Sequence, residues 1–161
     1  MNALIVVLRL VHIVFGATWV GMMVLAQLFL APAIAEAGPE GGKVMAALQR
    51  RKMMVIIPIF ALLTILSGAW LIFAVYGNMA GFMASRVGQT FSIGATLAIV
   101  AFVIGITVMR PAMMRMAALA QDPVKNRDEI QRLRARGASV GRLVVILLIL
   151  AIGAMAVARY V

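Results

Sequence analysis

The chain has 161 residues, of which 65% are hydrophobic and 12% charged, and its mean hydropathy is +1.08. Soluble domains are about half apolar and about a quarter charged, so a water-soluble fold of this length has no interior able to hide so much apolar surface, and lipid becomes the solvent for most of the chain. The net charge is +10 and cysteine is absent; the latter excludes disulfides, thiolate metal sites, iron–sulfur clusters and cysteine nucleophiles.

The first apolar stretch, 3–35, is about 50 Å long as a helix, more than a ~30 Å hydrocarbon core requires, so it must tilt or protrude. Ala31-Pro32-Ala33 and Ala33-Ile34-Ala35 look like signal-peptide cleavage sites, but the apolar run before them is about twice a normal signal core and no basic region precedes it. It reads as a retained first helix. Gly38-Pro39-Glu40-Gly41-Gly42 reads as a turn, after which Lys43 to Lys52 runs without a breaker straight into the second apolar stretch, 53–76. Pro58 is expected to bend that helix and Pro111 the third.

The third apolar stretch covers 91–109 and the fourth 143–157. The loop 77–90 before the third carries Met79, Phe82 and Met83 and reads as a short interfacial cap. After the third, Met109, Met113, Met116 and Ala120 share one helical face, as do Ile130, Leu133, Gly137 and Val140 before the fourth. Asp122-Pro123 reads as an N-cap followed by proline at the first helical position, and Gly137 and Gly141 as the site of a bend. Gly16, Thr64 with Gly68, Gly94 with Ala98, Gly105 and Gly153 are expected at close helix contacts.

Lysine and arginine set the orientation. Lys43, Arg50, Arg51 and Lys52 lie between the first two helices. Arg110, Arg115, Lys125, Arg127, Arg132, Arg134, Arg136 and Arg142 lie between the last two, against Arg86 alone in the middle loop. The positive-inside rule puts both basic segments in the cytoplasm and both termini outside. The basic residues are then assigned to topology and anionic lipid headgroups, not to nucleic acid. The expected fold is an all-α polytopic protein of the bacterial inner membrane. It is a single domain over 1–161, an antiparallel bundle of four transmembrane helices at about 3–35, 43–76, 91–121 and 123–160, with helical cytoplasmic extensions.

All five acidic residues, Glu36, Glu40, Asp122, Asp128 and Glu129, fall outside the apolar stretches. Ion-coupled transport usually relies on an ionisable group inside the membrane, so a carboxylate-based mechanism is disfavoured, and no catalytic constellation is visible. His12 is the single histidine. Arg9 precedes it by one turn, and Gly16 and Trp19 follow on the same face at i+4 and i+7. Imidazole is a common axial ligand to haem iron, whose propionates need cationic partners. His12 is therefore the candidate metal ligand, Arg9 the propionate partner, Gly16 the space for a flat macrocycle and Trp19 a wall. The alternative is that His12 hydrogen-bonds a neighbouring helix and Gly16 serves packing. One histidine gives one axial ligand, and a second would come from a methionine, a homodimer mate or another protein. The 13 methionines, densest at Met109, Met113, Met114 and Met116, with pairs at Met22-Met23 and Met53-Met54, suit Cu(I) as soft donors, and equally serve as flexible core filler.

The segment Leu10-Val11-His12-Ile13-Val14-Phe15-Gly16-Ala17-Thr18-Trp19-Val20-Gly21, with Arg50-Arg51-Lys52, Pro58 and Gly68-Ala69-Trp70, resembles the first half of a superfamily of small bacterial membrane proteins that includes the CopD-type copper-resistance proteins and the HemJ-type protoporphyrinogen oxidases, and its uncharacterised single-domain members above all. The resemblance implies a four-helix core with haem b on His12. HemJ-type proteins also carry a histidine and a lysine in a later helix, which the stretch 91–109 lacks, so their oxidase activity is not implied. Three functions follow in order: a haem-b-binding redox protein, a non-catalytic accessory or assembly subunit of a larger membrane complex, and copper or small-solute transport.

Overall fold

The computed structural model describes residues 2–119, 122 and 124–161, without the side chain of Pro39. The expected places of Ala120 and Pro123 therefore lie outside the described residues. Those described are all-helical, with no strand: α1 (Ala3–Glu36), α2 (Gly38–Arg50), α3 (Met53–Tyr76), α4 (Met79–Ala84), α5 (Arg86–Leu119) and α6 (Arg127–Tyr160, its last three residues a 3-10 turn).

Four of these, α1, α3, α5 and α6, are long and apolar enough to cross a membrane, and at most 28% of the residues in any of their most apolar windows are buried. The remaining apolar surface faces outward: Leu10, Ile13, Phe29 and Ile93 are each more than half exposed. Patches of that extent do not occur on ordinary soluble monomers. The core is correspondingly thin and built from small residues. Ala61, Ala98, Ala101 and Ala151 lie buried with Trp19, Val20, Met23, Val144 and Leu148, and the main pairings are α1 with α3 and α5 with α6. Phe15 meets Phe60 at a ring separation of 5.1 Å. The hydroxyls of Thr64 and Ser67 satisfy themselves on the carbonyls of Phe60 and Leu63, as a hydroxyl with no water nearby must.

Several boundaries differ from those expected. The turn before α2 is confined to Ala37, and α2 opens on Gly38 at φ +56°. Pro39 and the remaining glycines follow within α2, because proline costs nothing in a first turn whose N–H groups have no partner. Gly41 sits where a Cβ would collide with the carbonyl of Ile34, so its size, not its flexibility, brings α2 back against α1. Nor does α2 continue into α3. Arg51 and Lys52 turn back their N–H groups onto the carbonyls of Ala47 and Gln49, and Lys52 takes a left-handed φ of 58°. The third long helix begins at Arg86, five residues ahead of the apolar stretch, because Ser85 accepts the N–H of Gly88 at 2.9 Å and caps it. Asp122 caps only a turn, accepting from the N–H of Lys125 at 3.2 Å, and α6 starts later, at Arg127. The segment expected as a short cap is α4, opened by Asn78 and held by Phe82, which is buried against Tyr76. An ion pair between Arg115 and Glu129 joins the basic ends of α5 and α6.

Of the expected small-residue contacts, Gly16 meets Thr64, Gly68 meets His12, and Gly94 meets Ala151 and Met155. Gly105 and Gly153 have nothing within 4 Å of where a Cβ would stand; they face open space, not a partner helix. Helix α6 runs unbroken through Gly137 and Gly141, and the side chain of Gln27 occupies the place a Cβ at Gly141 would take.

Two π-helical segments interrupt the long helices, Leu25–Leu30 in α1 and Gly105–Met109 in α5. Each ends two residues before a proline, Pro32 and Pro111. A proline inside an α-helix lacks an N–H and its ring clashes with the carbonyl four residues back; a π turn widens the helix there. The residues ahead of the prolines bond five back, Ala31 to Ala26 and Arg110 to Gly105.

Candidate functional site

The four residues singled out on α1 do not gather at one place. His12 is half-buried in the seam between α1 and α3, where its Nδ1 lies 2.8 Å from the carbonyl oxygen of Thr64. A carbonyl only accepts, so Nδ1 carries the proton and donates, and in the neutral ring Nε2 keeps its lone pair. The Nδ1–Cε1 edge of the ring lies so close to Gly68 that a Cβ there would come within 2.7 Å of Cε1 and 2.9 Å of Nδ1, while Nε2 would stand 3.7 Å away. The nitrogen able to bind a metal is thus the one turned away from the α3 backbone.

Gly16, one turn on, is closed by Thr64: a Cβ on Gly16 would stand 3.2 Å from Thr64 Cγ2. It permits the approach of α3, which in turn delivers the Thr64 carbonyl to His12. Trp19 is 4% exposed and points into the core, edge-on to Phe102 of α5 at 6.5 Å. Arg9 is exposed. At the far end of α6, Arg159 stacks on Tyr160 at 5.0 Å. The seam therefore supplies one correctly polarised imidazole with a cation a turn away. A haem would have to lie along the outer surface of the seam, because the space beside Gly16 is filled by Thr64 and Trp19 stands elsewhere. Holding Nδ1–H on a backbone carbonyl is the usual arrangement for a metal-bound histidine, since it fixes the tautomer and strengthens the ligand. Among the described residues no group of three His, Cys, Asp or Glu comes together.

A second feature is marked in the sequence by two prolines alone, Pro32 and Pro111. Trp19 and Met23 form one wall of a cavity of about 140 Å³ at the basic end of the bundle, between α1, α2, α3 and α5. Both π segments border it, through Gln27 and Leu30 on α1 and Gly105, Ile106 and Met109 on α5. Six methionines line it, yet of the dense run on α5 only Met109 and Met113 do so, and Met114 is exposed. The prolines were the available signal, because each marks a place where a helix must open.

Comparison of the chain with protein-family models, with curated proteins and with solved structures finds no match.

Proposed function

We propose that the chain is a multi-pass protein of the bacterial inner membrane that carries haem b on His12 in a redox role. On this reading its termini lie outside, its basic segments are in the cytoplasm, and its four long helices form an antiparallel bundle. The membrane assignment is supported by the four long apolar helices and by the gathering of lysine and arginine in two of the three connections. The observation that carries the haem reading is the 2.8 Å hydrogen bond from His12 Nδ1 to the Thr64 carbonyl, which presents Nε2 as a metal ligand. The likeness of residues 10–21 to the first helix of CopD-type and HemJ-type proteins points the same way. Arg9 is the propionate partner. The haem lies against the outer surface of the α1–α3 seam, covered from the lipid by a second copy of the chain or by a larger complex.

The second reading is an accessory subunit in which His12 only clamps α1 to α3. The close fit of the imidazole on Gly68 favours it. Copper or small-solute transport comes third, since the methionine run on α5 is split between the cavity and the surface.

His12→Asn separates the first two. Asparagine places an amide N–H near the position of Nδ1 and retains the clamp, but has no counterpart of Nε2. The haem reading expects a Soret band in the purified protein or after haem addition, and its loss in His12→Asn with helical content and elution unchanged. A wild-type protein that never shows the band refutes it; recovery in mild detergent as a stoichiometric, pigment-free complex supports the clamp.

A further inference from the structure

The cavity at the basic end is chemically lopsided. Its walls are almost wholly apolar, and apart from the Trp19 indole the polar residues that line it are three: Gln27, Gln49 and Arg110. No acidic residue lines it. Among the described residues Arg110 makes no ion pair, and neither glutamine makes a side-chain hydrogen bond. Arg110 is exposed at the cavity's edge, where the apolar part of α5 gives way to its basic part. Gln27 and Ile106, both in the wall, are the residues five before Pro32 and Pro111. Neither proline can donate the π-type hydrogen bond that its preceding residue makes. An apolar chamber with a few convergent polar groups is the usual form of a small-molecule site, and here the one charge in its wall is positive.

We propose that this cavity binds a small amphiphile with an anionic head, a short-chain carboxylic acid of about six carbons. The acyl chain lies among Met23, Ala61, Ala101 and Phe102, and the carboxylate pairs with Arg110 in a charge-assisted hydrogen bond. The glutamine amides donate to its second oxygen. A cavity of about 140 Å³ is close to the size that holds one benzene ring, so it takes a chain of about six carbons and not the tails of a phospholipid. The site is independent of His12 and stands whether or not haem is bound there.

Trp19 reports on it directly. The chain has two tryptophans, and Trp70 is 58% exposed, so Trp70→Phe leaves an indole in the cavity wall as the sole fluorophore. The Trp70→Phe protein, in mild detergent, is titrated with 6-bromohexanoate, with the matching 6-bromohexanol and with a brominated phosphatidylglycerol. The proposal expects saturable quenching by the acid at a concentration at least about fivefold below that of the alcohol. Arg110→Gln should raise the acid's midpoint to that of the alcohol. Gly105→Leu, whose side chain enters a direction with nothing within 4 Å of its Cβ, should abolish saturable quenching by both while leaving helical content and elution intact. Quenching that never saturates, or that is equal for acid and alcohol before any mutation, overturns the proposal. So does a midpoint indifferent to Arg110→Gln and Gly105→Leu. Equal or tighter quenching by the phospholipid overturns the short-chain assignment. If Gly105→Leu does not fold, the Arg110→Gln comparison decides alone.

Discussion

Gly68→Ala tests the placement of His12 more sharply than any change to the histidine itself. The new Cβ would stand 2.7 Å from Cε1 and 2.9 Å from Nδ1, closer than real Cβ contacts come, so the ring must move and its hydrogen bond to Thr64 must lengthen or break. Side-chain hydrogen bonds between membrane helices are worth on average about 0.6 kcal/mol and at most about 1.7. Overpacking a tight contact costs about 1–3 kcal/mol. Against this, alanine for glycine in a helix gains at most about 1 kcal/mol. The net expectation is a loss of about 1–3 kcal/mol. Gly21→Ala is the control, because nothing lies within 4 Å of its Cβ direction, and it should be neutral or stabilising. Reversible unfolding in mixed micelles, followed by helical circular dichroism, measures both. In a His12→Ala background Gly68→Ala should become nearly harmless, and the double-mutant cycle should return a coupling of about 1 kcal/mol or more. A Gly68→Ala protein as stable as the wild type, or a coupling near zero, would mean that the imidazole does not lie on α3.

Two further expectations concern the basic end and a third the orientation. Gly41→Ala should lower stability by at least about 1 kcal/mol by pushing α2 off the Ile34 carbonyl, whereas Gly42→Ala, with open space beside it, should raise it by up to about 1 kcal/mol; the same micelle unfolding compares them. Lys52 holds a left-handed backbone conformation that costs an ordinary residue about 1 kcal/mol, so Lys52→Gly should stabilise by about that amount and Lys52→Val should destabilise, read by thermal unfolding of the two variants side by side. Reporter fusions at both termini, and one inserted between Met79 and Ala84, should all mark the outer side. A cytoplasmic signal from either terminus would refute the orientation.

The sequence made the long helices plain because an apolar run of that length has few other fates. It made their ends less plain. Ser85 is an ordinary cap, yet it lies ahead of the apolar stretch, where hydropathy marks no boundary. At Lys52 no residue type announces a break; the helix stops there although lysine has no preference for a positive φ. The candidate site failed to assemble as expected for a related reason. His12, Gly16 and Trp19 do share a face of α1, but spacing along one helix does not say which neighbour covers each turn. His12 and Gly16 meet α3, whereas Trp19 reaches Phe102 of α5. The role of Gly68 was legible only as that of a small residue near others. That it is the floor under the histidine required the two helices to be placed together. The cavity was illegible because methionine and alanine read alike whether they pack against each other or line a space.

The π segments carry one more consequence. A single π turn holds one residue more than the α turn it replaces, so everything beyond it lags by about 100° around the helix axis. On α1 the stripe that meets α3 before Leu25 does not continue straight into Ala31–Glu36; the later residues are rotated onto α2, where Ile34 meets Gly41. On α5 the same offset separates the residues before Gly105 from those after Met109. Each of these two helices is thus two faces spliced out of phase, and deleting one residue from Leu25–Leu30 should return the far end of α1 to α-helical phase and turn Ile34 away from its partner.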